Sequence, residues 1–187
     1  MAEQIGRESI DTDLYDDDDE DTQKDKYLTF TVGNEDYGIE IYHVTEIIGI
    51  QHITDVPDMP PYIKGVINLR GKVIPVMDVR VRFKMPEREY DDRTCIVVVN
   101  ANGTAVGLVV DTVKEVADIP ENQIELPPEV AESSTQHYIR GLGKLADEVK
   151  ILLDVEKLVR KEDVSAMSAA AAQQILSETN TGNEMQL

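Results

Sequence analysis

The feature that most constrains this chain is that it repeats itself. Tyr37-Gly38-Ile39-Glu40 and Val44-Thr45-Glu46-Ile47 return as Val106-Gly107-Leu108-Val109 and Val113-Lys114-Glu115-Val116, both displaced by 69 positions. Tyr62-Ile63-Lys64-Gly65-Val66 returns as Tyr138-Ile139-Arg140-Gly141-Leu142, and Val76-Met77-Asp78-Val79 as Leu152-Leu153-Asp154-Val155, both displaced by 76. One such match could arise by chance in a chain rich in valine, isoleucine and glycine, but four in the same order mark two related units, the second with a longer loop. Units of about 60 residues bury too little surface to be comfortable alone. Two small barrels packed against each other, with a groove between them, are therefore expected.

The local pattern is β-rich. Tyr27 to Val32 and Tyr37 to Ile41 flank a polar turn at Gly33-Asn34-Glu35-Asp36 and read as a hairpin. Cys95 to Val99 and Ala105 to Val110 form a second, turning near Asn102-Gly103, a dipeptide that adopts positive φ at low cost. Val73 to Met77 is strand-like, but Pro75 cannot donate to a ladder, so that strand is expected to lie at an edge or to carry a bulge. Gly141-Leu142-Gly143-Lys144-Leu145-Ala146 loosely matches a dinucleotide fingerprint. It precedes a strand-like run where that motif must open a helix, so it is read as a turn.

Charge narrows the partners. With 18 Lys+Arg against 37 Asp+Glu the net charge is −19, which repels nucleic acid and anionic membranes. Residues 1–26 hold 11 acids against three bases and are expected to form a disordered leader. The Asp16 to Asp19 run lacks the spacing and the glycine of a calcium loop. Residues 164–187 read as a helix-prone or flexible tail, Ser165 to Leu176 carrying the helical propensity. There is no basic leader with an apolar core, and no apolar run approaches the ~18 residues of a membrane helix, so a cytoplasmic location is expected.

Catalytic chemistry finds no candidates. His43, His52 and His137 are dispersed without metal-ligand spacing, and Cys95 lies in an apolar strand as a small core residue. No nucleophile elbow and no phosphate loop occur. A non-enzyme without metal or cofactor is expected. Residues 64–84 nevertheless hold Lys64, Arg70, Lys72, Arg80, Arg82 and Lys84 against one acid, Asp78. Most of these cations are expected on an ordinary solvated face. Arg70 stands apart, because a tight turn between Leu69 and Gly71 displays its planar guanidinium at a loop tip, suited to bidentate docking on a carboxylate. The second unit echoes the segment but replaces Asn68-Leu69-Arg70.

Phe30-Thr31-Val32-Gly33, Tyr37-Gly38-Ile39, Val44-Thr45-Glu46-Ile47, Ile63 through Gly71 and Val76-Met77-Asp78-Val79, in this order over about residues 27–160, resemble the CheW-like chemotaxis coupling proteins. The resemblance implies a mainly all-β fold of two intertwined five-stranded SH3-like barrels with short helices. A CheW-like domain is then expected over 27–163, its subdomains at roughly 27–90 and 91–160, strand exchange between them being an open alternative. The implied role is an adaptor or scaffold coupling the cytoplasmic tip of transmembrane chemoreceptors to the regulatory domain of the histidine kinase CheA. It would be cytoplasmic, recruited to membrane receptor arrays, without membrane insertion.

The resemblance also implies partner-binding residues. Val44 and Glu46 match positions lining the inter-barrel region, Arg70 the arginine used in partner contact, and Gly107 and Val113 sensitive positions of the second barrel. Gly65 and Asn68 fall within the shared motif, with a backbone turn needing no side chain as the alternative for Gly65. Two other readings are a small-ligand-binding or enzymatic β-barrel, which needs convergent polar groups in a pocket, and the coupling module of a CheV-type adaptor lacking its receiver.

Overall fold

A computed structural model of the chain describes residues 22–128, 136–169 and 172. Most of the expected acidic leader, and the end of the expected tail, lie outside these residues. Within them the strands are β1 (Lys26–Val32), β2 (Glu35–Glu40), β3 (Val44–Gly49), β4 (Ile63–Leu69), β5 (Lys72–Asp78), β6 (Cys95–Ala101), β7 (Thr104–Val110), β8 (Thr112–Asp118), β9 (Ile124–Glu125), β10 (Ile139–Leu145) and β11 (Glu148–Leu153). Two short helices follow equivalent strands, α1 (Val79–Arg82) after β5 and α2 (Val155–Leu158) after β11. A third, α3, spans 161–169.

The strands form two sheets, ordered β8-β1-β2-β11-β10-β9 and β3-β6-β7-β5-β4. Neither is drawn from one half of the chain. The β1–β2 hairpin leaves its own unit to complete the second barrel, and the β6–β7 hairpin completes the first. Each crossing hairpin is joined on one side by an antiparallel ladder, β1 with β8 and β6 with β3, and on the other by a parallel one, in which Val76 lies opposite Gly107 and Leu152 opposite Gly38. These pairs are related by the sequence offsets of 69 and 76, so the repeat visible in the sequence is an intertwined pair of barrels in space.

The exchange explains why the hairpins are apolar on both faces. From β6, Val97, Val99 and Ala101 enter a large central cluster between the barrels, whereas Ile96 and Val98 face the first barrel's own core with Ile67, Ile74, Val76 and Val109. From β1, Leu28, Phe30 and Val32 enter the central cluster while Tyr27 joins the second barrel's core with Ile119 and Leu152. Each fully buried side chain of this size contributes about 1.5–3 kcal/mol relative to exposure. The space between the barrels is thus a packed core, and any groove is confined to its margin.

Local expectations fare differently. The Asn102-Gly103 turn has φ 52° and 78° at its two central residues, as a two-residue hairpin turn requires. β5 is not an edge strand, because it lies between β7 and β4. Pro75 sits just before the β7 ladder, which begins at Val76, and the bulge falls in β4 between Ile63 and Gly65. Gly141 to Leu145 form β10 rather than a turn, since the chain reverses only after Leu145, where Ala146 has φ 51°. Cys95 lies in β6 but is only half-buried, its Sγ 3.3 Å from the Arg93 carbonyl. α3 starts before the expected tail and buries Val164 and Met167 on the central cluster.

Candidate functional site

The β4–β5 hairpin carries the conspicuous motif. Leu69 pairs with Lys72, leaving Arg70 (φ 51°) and Gly71 (φ 83°) as the turn. Asn68 Oδ1 accepts from the Gly71 N–H at 2.9 Å, and the Asn68 carbonyl accepts from Gln51 Nε2 at 3.4 Å. The Arg70 side chain is 64% exposed, and its Nη2 donates to Glu46 Oε1 on β3. That pairing pushes the guanidinium pKa further up. Glu46 is aimed there by a bulge, since Val44 pairs with Val99 and Glu46 with Val98. The intervening Thr45 donates its hydroxyl to the Val98 carbonyl at 2.9 Å, and bulges of this kind redirect the side chains beside them.

Three residues singled out in the sequence, Glu46, Asn68 and Arg70, therefore gather at one exposed edge of the first barrel. The other four sit elsewhere. Val44 and Val113, 69 residues apart, are half-buried on the margin of the central cluster. Gly107 is buried in β7, where a Cβ would lie 2.7 Å from Ile96 Cγ2. Gly65 is buried at φ 138°, and a Cβ there would stand 1.9 Å from the Thr54 carbonyl oxygen. The Thr54–Val66 bridge, with hydrogen bonds of 2.8 and 2.9 Å, brings that backbone so close. Neither glycine offers a side chain to a partner, and substitution at either acts on the barrel.

The barrels differ at this edge. The same bulge recurs in β8, where Lys114 and Glu115 fall between the pairs Phe30–Val113 and Leu28–Val116. The position matching Arg70 is Ala146, and among the described residues Glu115 has no ion pair. Among the described residues, the first barrel alone carries a carboxylate–guanidinium pair at its tip.

Most of the remaining positive charge between 64 and 84 is matched internally. Lys64 pairs with Glu87, Arg80 with Asp111 and Arg82 with Asp163. What the sequence reading missed is apolar. Ile47 (43% exposed) and Val116 (50%) are equivalent through the offset of 69, and Val73 (37%) and Val149 (51%) through the offset of 76. Each barrel thus shows solvent one apolar side chain from its bulged strand and one from its last strand. Period-two alternation was the available signal, because Ile48 and Ile74, next in sequence to Ile47 and Val73, pack inward.

Among the described residues no group of His, Cys, Asp and Glu could hold a metal ion. No helix among them is long and apolar enough to cross a membrane.

Comparison with known proteins extends the geometry. A family model described as CheW-like domain matches residues 26–163. The chemotaxis protein CheW of Klebsiella aerogenes is 40% identical over 151 residues, covering 81% of this chain and 91% of that protein. The CheW of Bacillus subtilis is 36% identical over 149 residues, covering 80% and 94%. The crystal structure of the scaffolding protein TtCheW from Thermoanaerobacter tengcongensis matches with a TM-score of 0.68 at 37% identity, covering 74% of this chain and 94% of that one.

Proposed function

The chain belongs to the CheW-like domain family and is a chemotaxis adaptor; from that premise we propose that it couples the cytoplasmic tips of chemoreceptors to the regulatory domain of the histidine kinase CheA. Its work is assembly rather than catalysis, carried out in the cytoplasm at membrane receptor arrays. The observation that carries this reading is the Glu46–Arg70 edge, an exposed ion pair fixed by a bulge and a tight turn on one barrel alone. A guanidinium held in place but 64% exposed loses little side-chain entropy when it meets a partner carboxylate. Val44 and Val113 extend the contact along the inter-barrel margin, and the repeated apolar positions Ile47, Val73, Val116 and Val149 suit packing against similar barrels of the kinase.

The test is co-purification with a receptor tip and with the CheA regulatory domain at physiological salt. Arg70→Glu is expected to leave the far-UV circular dichroism unchanged and to lower capture about tenfold or more, the order expected for a lost charge-assisted contact. Combining it with Glu46→Arg re-forms an ion pair in reversed order. Capture that stays low in the double variant identifies Arg70 as a contact, whereas full recovery would reduce the pair to a structural brace. Unchanged capture by Arg70→Glu would sink the role of this edge.

A further inference from the structure

The strongest unexplained feature is a buried cation at the joint between the barrels. Arg82, at the end of α1, is 8% exposed. Its guanidinium carbon lies 4.2 Å from the ring centroid of Tyr62 and 4.9 Å from that of Tyr138. Those tyrosines are equivalent through the offset of 76, one preceding β4 of the first barrel and the other preceding β10 of the second. Each anchors the turn after its barrel's last strand, the Tyr62 carbonyl accepting from Asp78 N–H at 2.7 Å and the Tyr138 carbonyl from Asp154 N–H at 2.8 Å. Asp163 on α3 closes the arrangement: its Oδ1 accepts from the Tyr62 hydroxyl at 2.8 Å, and its Oδ2 lies 3.7 Å from Arg82 Nη2.

The fold itself does not demand a cation here. The position equivalent to Arg82 in the second unit is Leu158, fully buried in the same central cluster. Buried ion pairs are often replaced by apolar side chains without loss of stability, and their best-attested service is to select one arrangement among several. Among the described residues Arg82 Nε and Nη2 and Asp163 Oδ2 have no hydrogen-bond partner, so the hold comes from two ring faces and one opposing charge. All of these contacts except Tyr62 belong to the other half of the chain.

We infer that Arg82 is a positioning residue that fixes the orientation of one barrel relative to the other, and with it the alignment of the two barrels' partner surfaces. The link to partner alignment rests on the adaptor reading; the orientation itself does not. The full-length chain carrying Cys95→Ser, with spin labels at Lys72→Cys on the first barrel and Asp147→Cys on the second, reports it by electron–electron distance measurement. The parent should give one narrow distribution. Arg82→Leu should at least double its width with unchanged circular dichroism. Arg82→Lys should do the same, because an ammonium cannot lie flat between two rings. Widths equal to the parent in both variants would overturn the inference. If Arg82→Leu fails to fold, Asp163→Asn decides, since it keeps an acceptor for Tyr62 and removes the opposing charge: a broadened distribution supports the inference and a parental one overturns it. In capture experiments, Arg82→Leu should bind receptor tip and kinase domain separately but bring down both together several-fold less often. If the parent binds neither partner, the adaptor reading fails while the distance measurement still judges the joint.

Discussion

At the scale of single residues, burial separates positions whose side chains meet partners from positions that shape the barrel. Gly65 is the sharpest case of the second kind. At φ 138°, with a Cβ placed 1.9 Å from the Thr54 carbonyl, Gly65→Ala must displace backbone, which adds overpacking to conformational strain. These cost about 1–3 kcal/mol each. Urea unfolding should therefore show roughly 3 kcal/mol of lost stability or more. Gly71→Ala, at φ 83° with nothing within 4 Å of the added Cβ, should cost about 1 kcal/mol from its positive φ alone. Equal losses at the two positions would show that the Thr54 approach relaxes freely. The sequence marked Gly65 and Arg70 as parts of one motif. It could not separate them, because the partner that excludes a side chain at 65 comes from the loop at Thr54, and the partner of Arg70 comes from β3.

At the scale of elements, a polar cluster pins four strands of the second barrel. Asp36 on β2 accepts from Lys114 Nζ of β8 at 2.7 Å and from Lys150 Nζ of β11 at 2.6 Å, and Thr31 Oγ1 adds a third bond at 2.9 Å. Burial alone would raise the Asp36 carboxyl, but these donors outweigh it and hold the pKa at about 2, against an ordinary 3.8. The charged form is thereby favoured in the folded state by roughly 2 kcal/mol at neutral pH. Because the folded value is the lower one, this stability is complete above about pH 4 and is lost as the pH falls through about 2. Asp36→Asn should lower stability by about 1–2 kcal/mol at pH 7, and its deficit against the parent should shrink steadily below pH 4 in denaturant titrations. A deficit independent of pH would assign the loss to packing. Lys150, 2% exposed, occupies the position that Ile74 fills in the first barrel, so the two repeats use unlike chemistry at matching sites. Hairpins and their turns were legible, because Asn102-Gly103 and the flanking alternation are local. The non-local pairings were not. The strand Val73 to Met77 read as an edge or a bulged strand because nothing near Pro75 in sequence announces β7 as its parallel neighbour.

At the scale of the whole molecule, the repeat offsets disclosed two related units and the family resemblance supplied their intertwining, but only the sheet order shows which hairpin crosses. That order carries a consequence for folding. A chain cut after Asp92 separates β1 to β5 from β6 to β11, and each piece then holds a hairpin whose partner sheet lies in the other. β1 loses β8, β2 loses β11, and β7 loses β5. The central cluster, fed by both sheets, is opened as well. Neither piece can bury its two-faced hairpin alone, and at this size neither has surface burial to spare. Each piece expressed separately should lack a cooperative urea transition and give a collapsed amide NMR spectrum, whereas the two together should restore dispersion. The intact chain should unfold in one step, with far-UV circular dichroism and tyrosine fluorescence coinciding, the seven tyrosines being the usable probe in a chain without tryptophan. A dispersed spectrum from either piece alone would mean that the barrels can close on strands of one half, and the crossing hairpins would then be a late addition to two self-sufficient folds.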